Sequence, residues 1–217
     1  MTELILDDRC HYVRVSCPPS LIPAPGQYLL ASDGSDSPLP VPLFYTDSGT
    51  QDFIAVAHGD VAWNPGQGLY LRGPLGRGFT LPLSARKVAL VALDDSPARL
   101  QGLIRPALKQ DAAVVLVSGS VPDNLPDDVE VQPLSAISDI LEWADYVAFD
   151  IARENLPEWK ERLSKQNHWM AGMRAQVLVR TPVPCGGLAE CGVCAVTLKL
   201  EWRLACKDGP VFDWKEL

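Results

Sequence analysis

Four cysteines near the C-terminal end of the 217-residue chain constrain its fold more than any other feature. Cys185, Cys191, Cys194 and Cys206 are spaced C-x5-C-x2-C-x11-C. The two-residue gap lets Cys191 and Cys194 converge on one centre from a single turn, and Cys185 and Cys206 can close a four-sulfur shell around it. Gly186, Gly187 and Gly192 stand among them. Glycines take positive φ, so the backbone can wrap closely round an inorganic core and aim amides at its sulfides. Plant-type [2Fe–2S] proteins use C-x4-C-x2-C with a distant fourth cysteine. The present spacing is of that kind, one residue wider in its first gap. A zinc ribbon more typically shows two C-x2-C pairs, whereas Cys206 stands alone. Zinc and disulfides remain the alternatives on spacing grounds.

The residues themselves carry a resemblance. CGGLAECGVC at 185–194 followed by ACKDGPVF at 205–212 resembles the C-terminal cluster domain of the electron-transfer subunit of NAD-dependent dihydroorotate dehydrogenase, a family of the ferredoxin–NADP reductase superfamily. The similarity is very specific over 182–213, moderate over 20–82 and weak over 86–175. The resemblance implies a β barrel, then an α/β parallel-sheet domain, then a small C-terminal iron–sulfur domain, a ferredoxin reductase-like architecture. Expected boundaries are 1–84, 85–175 and 176–217. It implies a [2Fe–2S] cluster on Cys185, Cys191, Cys194 and Cys206, and a redox partner protein such as a flavin-containing dehydrogenase subunit. Pyrimidine biosynthesis is the setting it implies.

The first 84 residues fit a barrel. His11–Val15, Gln27–Ala31, Phe53–Ala57 and Gly68–Arg72 alternate as half-buried strands, with Pro- and Gly-rich turns between them. Pro25-Gly26-Gln27-Tyr28 and Gly73–Phe79 also resemble the flavin-binding barrel of that family. Its members bind FAD through an Arg-Pro-x-Ser strand, which corresponds here to Val41-Pro42-Leu43-Phe44. Pro42 and Leu43 are the matching FAD contacts. Val41 cannot pair with a phosphate as a guanidinium does, and Asp60, near the turn that helps to hold the flavin, would repel one. Both count against tight FAD binding. Arg72 and Arg77 flank the Gly73–Gly78 loop, and read as surface arginines or as a substitute anion contact. His58 reads as a loop residue, and Cys10 and Cys17 as reduced thiols without metal spacing.

The pattern then changes. Lys87–Leu93 and Ala112–Val117 are continuous apolar runs, as in parallel strands buried on both faces. Val129–Val131, Tyr146–Asp150 and Gln176–Arg180 are further strands. Helices are expected over 97–110, with Ser96 as N-cap and Pro97 first, over 138–144 and over 156–166. Alternating strands and helices make βαβ units. Such a sheet binds a dinucleotide at a glycine-rich turn after its first strand. Here that turn is Leu93-Asp94-Asp95-Ser96-Pro97, without glycine and with two carboxylates, so NAD is not expected. Ser118-Gly119-Ser120 reads as an ordinary turn.

Composition sets outer limits. Nineteen basic against 27 acidic residues give a net charge of −8, which argues against a nucleic-acid surface. No apolar run is long enough to span a membrane, and the acidic start lacks a leader's basic and apolar parts. A cytoplasmic location is expected. Trp169, Trp202, Phe212 and Trp214 lie near the cysteines, as core or as a docking patch. No residue is expected to be catalytic: the chain reads as an electron-transfer subunit, or alternatively as an accessory cluster-carrying or redox-sensing subunit that has lost its FAD and NAD sites.

Overall fold

A computed structural model describes residues 3–6, 11–35, 39–49, 51–57, 61–94, 96–122, 124–165 and 173–217. Cys10, His58, Asp60, Asp95 and Trp169 lie outside the described residues. The N-terminal strands are β1 (Glu3–Leu6), β2 (His11–Ser16), β3 (Tyr28–Ser32), β4 (Val41–Ser48), β5 (Asp52–Ala57) and β6 (Tyr70–Leu75). They form a barrel-like antiparallel sheet in the order β1-β2-β5-β4-β3-β6.

The period-two alternation sorts the side chains. Leu29, Ala31, Leu43, Phe53 and Ala55 point into the barrel with Val13 and Val15. Tyr28, Leu30, Phe44 and Val56 point outward, yet they too are buried. They pack against Ala98, Leu178 and Val211 of the second half. An outward face that is apolar on adjacent strands must be covered, and the rest of the chain covers it.

The second half has five parallel strands: β7 (Lys87–Ala92), β8 (Ala113–Val117), β9 (Val129–Gln132), β10 (Tyr146–Ala152) and β11 (Arg174–Arg180). After them come a short hairpin of β12 (Ala195–Thr197) and β13 (Trp202–Leu204), then β14 (Val211–Asp213), antiparallel to β11. The sheet order is β14-β11-β10-β7-β8-β9. β11, expected at the head of the cluster domain, is thus an inner strand of the α/β sheet, and the boundary at 175 falls inside it.

Helices α1 (Ile104–Lys109), α2 (Ile137–Trp143) and α3 (Leu156–Ser164) connect the strands. The stretch expected as one helix over 97–110 is a 3-10 helix over 97–103 followed by α1. Pro106 lacks the amide that an α-helix would set against the Gly102 carbonyl. The Ser96 hydroxyl caps as expected, accepting from the Ala98 amide at 3.2 Å. In α3, Leu156, Trp159 and Leu163 fall on one stripe and are buried. Phe212 and Trp214 belong to the core, with Trp214 and Phe149 ring centroids 4.7 Å apart. Trp202 stays exposed. Cys194, Cys206 and Val196 share that same core, so the cysteine segment is packed onto the sheet.

Candidate metal centre

The four cysteines are brought together by local backbone bonding. The β12–β13 hairpin pairs Ala195 with Leu204, and the Ala205 amide donates to the Cys194 carbonyl at 3.0 Å. That register sets Cys194 beside Cys206, and both are buried. Cys185 and Cys191 flank a loop in which Gly186, Gly187 and Ala189 have positive φ, as does Gly192 just after it. For Ala189 that conformation costs about 1–2 kcal/mol, so the surrounding loop must enforce it. Cys191 is exposed and Cys185 half-buried.

The electrostatics of the thiols follow from this loop. Burial opposes ionisation of Cys185, but the Glu190 amide, the Cys191 thiol, and the Cys191 and Leu188 amides outweigh it and lower its pKa to about 6. Cys206 is pushed up to about 12, first by burial, then by the Cys194 thiol and the nearby Cys185, against the Ala189 amide. Cys206 thus feels both Cys194 and Cys185, and Cys185 feels Cys191, so the four thiols share one neighbourhood. Backbone amides from residues 188–191 point at the sulfurs of Cys185 and Cys206. Among the described residues, no group of three or more His, Cys, Asp or Glu side chains converges on a single-ion site.

Two arginines clamp the loop from either side, and sequence reading missed both roles. Arg72 of β6 donates to the Gly186 carbonyl. Arg153, just after β10, donates to the carbonyls of Val193 and Ala195, the latter at 3.2 Å. Arg72 stays an exposed surface arginine, and this contact ties it to the cysteine loop. Its partner lies 114 residues away in sequence, so no local pattern could signal it. The Arg77 amide donates to the Gly209 carbonyl, beside an isolated parallel bridge to Pro210. The buried Tyr28 reaches the Cys206 carbonyl at 3.4 Å, and burial followed by the neighbouring Cys206 and Cys194 raises its phenol well above the usual range.

The residues expected at nucleotide sites fall differently. Pro42 is half-buried on β4. Leu43 is wholly buried in the barrel interior, so its side chain cannot meet a ligand. The period of two turns Leu43 inward and Phe44 outward, where Phe44 lies 5.4 Å from the Tyr28 ring, centroid to centroid. In the turn after β7, Asp94 accepts from Arg180 (2.6 Å), the Ala152 amide (2.5 Å) and Asn155 (2.7 Å). Arg180 also donates to Asp150 at 2.9 Å, and Arg99 to the other Asp150 oxygen at 2.8 Å. All four charged side chains are less than 10 % exposed. The Ser120 amide donates to the Ser118 hydroxyl at 3.2 Å, a local turn as expected.

A barrel-like sheet joined to a parallel sheet with its antiparallel sixth strand defines a ferredoxin reductase-like fold. The chain of NADH-dependent reduced ferredoxin–NADP oxidoreductase, from a structure giving insight into flavin-based electron bifurcation, aligns with TM-score 0.77 and 15% identity, over 99% of this chain and 87% of that one. The ferredoxin reductase in carbazole 1,9a-dioxygenase aligns with TM-score 0.61 and 15% identity, over 80% of this chain and 64% of its own. The flavohem-like FAD/NAD binding domain of nitric oxide dioxygenase from Vibrio cholerae gives TM-score 0.53 and 15% identity, over 82% and 96%. Residues 185–217 match the model of the iron–sulfur cluster binding domain of dihydroorotate dehydrogenase B. The chain therefore has a ferredoxin reductase-like fold, and over residues 185–217 it is similar to that iron–sulfur cluster binding domain.

Proposed function

We propose that this chain is an iron–sulfur electron-transfer subunit, with Cys185, Cys191, Cys194 and Cys206 holding a [2Fe–2S] cluster. The match of residues 185–217, which hold all four cysteines, to an iron–sulfur cluster binding domain carries this reading. The amides of residues 188–191 suit the sulfur-rich negative charge of such a cluster. Bound there, the cluster supplies a one-electron relay. The protein's part is to hold it, bury the Cys194–Cys206 side and leave Cys191 accessible to a partner.

The redox partner in this reading is a flavin-containing dehydrogenase subunit, which the family of the C-terminal domain suggests, with pyrimidine biosynthesis as the setting and the cytoplasm as location. Among the described residues, no helix is long and apolar enough to cross a membrane. The structural relatives named above include an oxidoreductase and a ferredoxin reductase, which also supports an electron-transfer role.

The test is an anaerobic absorption spectrum with iron, sulfide and zinc assayed on the same sample. A reddish-brown protein with about two irons and two sulfides per chain is expected. A colourless protein that keeps zinc after anaerobic cluster reconstitution would overturn the proposal.

A further inference from the structure

We infer that this chain holds neither FAD nor a nicotinamide dinucleotide, because its own side chains fill both places the fold provides for them. In an open parallel sheet of this order, a dinucleotide lies in the crevice beyond the strand ends where the order reverses, here between β7 and β10. The pyrophosphate then needs free amides at a helix start and uncommitted cations. In this chain the crevice is occupied by a closed lattice of charge. Asp94, Asp150, Arg99 and Arg180 contribute two negative and two positive groups, each paired within it. The Ala98 amide at the start of the following helix is taken by Ser96, and Ala98 itself is wholly buried against the barrel. A phosphate entering here would meet Asp94 and find both arginines already engaged.

The flavin place is closed by packing. A flavin ring needs a slot between the outward face of the barrel and the second half. That face is sealed by Tyr28, Leu30, Phe44 and Val56 against Ala98, Leu178 and Val211. The 3-10 helix lies directly on β4: a methyl group at Gly102 would sit 2.6 Å from the ring of Tyr45. Arg105 binds Asp47 across the same seam at 2.8 Å. Cavities of about 130 Å³ beside Asp47 and about 210 Å³ beside Arg72 border these contacts. Both are smaller than the ~300 Å³ at which small-molecule pockets begin. The phosphate-pairing arginine is absent at Val41, and one donor of Arg72 is engaged by the Gly186 carbonyl.

The two cofactors implied by the fold are therefore displaced, and the cysteine site is left as the one redox-type site assigned to the described residues. This inference stands whether that site holds a cluster or zinc. The test uses the full chain, purified anaerobically from flavin-replete cells. Flavin is released with acid and measured by fluorescence, and FAD, FMN, NADH and NADPH are each titrated calorimetrically. Substoichiometric traces of flavin at most, and no saturable binding tighter than about 100 μM, are expected. Stoichiometric flavin, or any of the four binding more tightly than that, overturns it. Arg180→Leu, compared in parallel, should lower the urea midpoint of unfolding and leave the nucleotide titrations unchanged. A nucleotide response that the native chain shows and Arg180→Leu loses would also overturn it, by making Arg180 an anion ligand.

Discussion

Cys185 and Cys206 differ in their neighbours more than in their chemistry. Amides from one loop lower the first thiol to about 6, and burial raises the second to about 12. In metal-free chain at pH 7.5, Cys185 is mostly thiolate and Cys206 mostly thiol. Iodoacetamide should therefore label Cys185 well before Cys206, as read by peptide mass mapping, and the contrast should fade as pH falls below about 6. A depressed folded pKa stabilises the fold above the unfolded thiol value near 9. That contribution is lost as pH falls through the folded value. Gly187 has φ +73°, and a methyl group there would lie 3.3 Å from Arg72 and 3.4 Å from Leu75 and Tyr28. Gly187→Ala should cost about 1–2 kcal/mol and shorten the lifetime of the bound metal centre. Gly119→Ala, which meets open space, should change neither thermal midpoint nor metal content.

At the scale of elements, the buried charge lattice ties the ends of β7, β10 and β11 to the 3-10 helix. Arg99, Arg180, Asp94 and Asp150 come from four separate segments, and each satisfies another. Removing one member strands a buried charge. Arg99→Leu should therefore cost about 3–5 kcal/mol in urea unfolding. The double variant Arg99→Leu with Asp150→Leu should recover a good part of it. If the single variant cost no more than an exposed pair, under about 1 kcal/mol, the lattice would not hold these elements together. The same elements show the reach of sequence patterning. The strands of both sheets and the Ser96 cap follow from alternation and capping rules. The lattice does not, because no local pattern links positions 94, 99, 150 and 180.

For the whole molecule, the metal segment and the α/β sheet form one structure. β14 adds to β11, Phe212 and Trp214 enter the sheet's core, and the C-terminal Leu217 is buried. Limited proteolysis of the metal-loaded chain should not release residues 181–217 as a separable domain. A chain cut back to Arg180 should lose cooperative unfolding. Recovery of a stably folded 1–180 fragment would show that the cysteine segment is an appendage. The cysteine spacing by itself located the site and narrowed its chemistry to an iron–sulfur cluster, zinc or disulfides, because thiol number and glycine placement limit what can bind. Sequence also determined the two sheet classes, through the change from alternating to continuous apolar runs near residue 86. Tertiary structure alone decided how the halves meet. It covered the outward Phe44 with residues of the second half, joined Arg72 and Arg153 to the cysteine loop, and set Arg180 against Asp94. Each of those depends on contacts between distant segments, where packing and charge pairing act across space and leave no periodic trace along the chain.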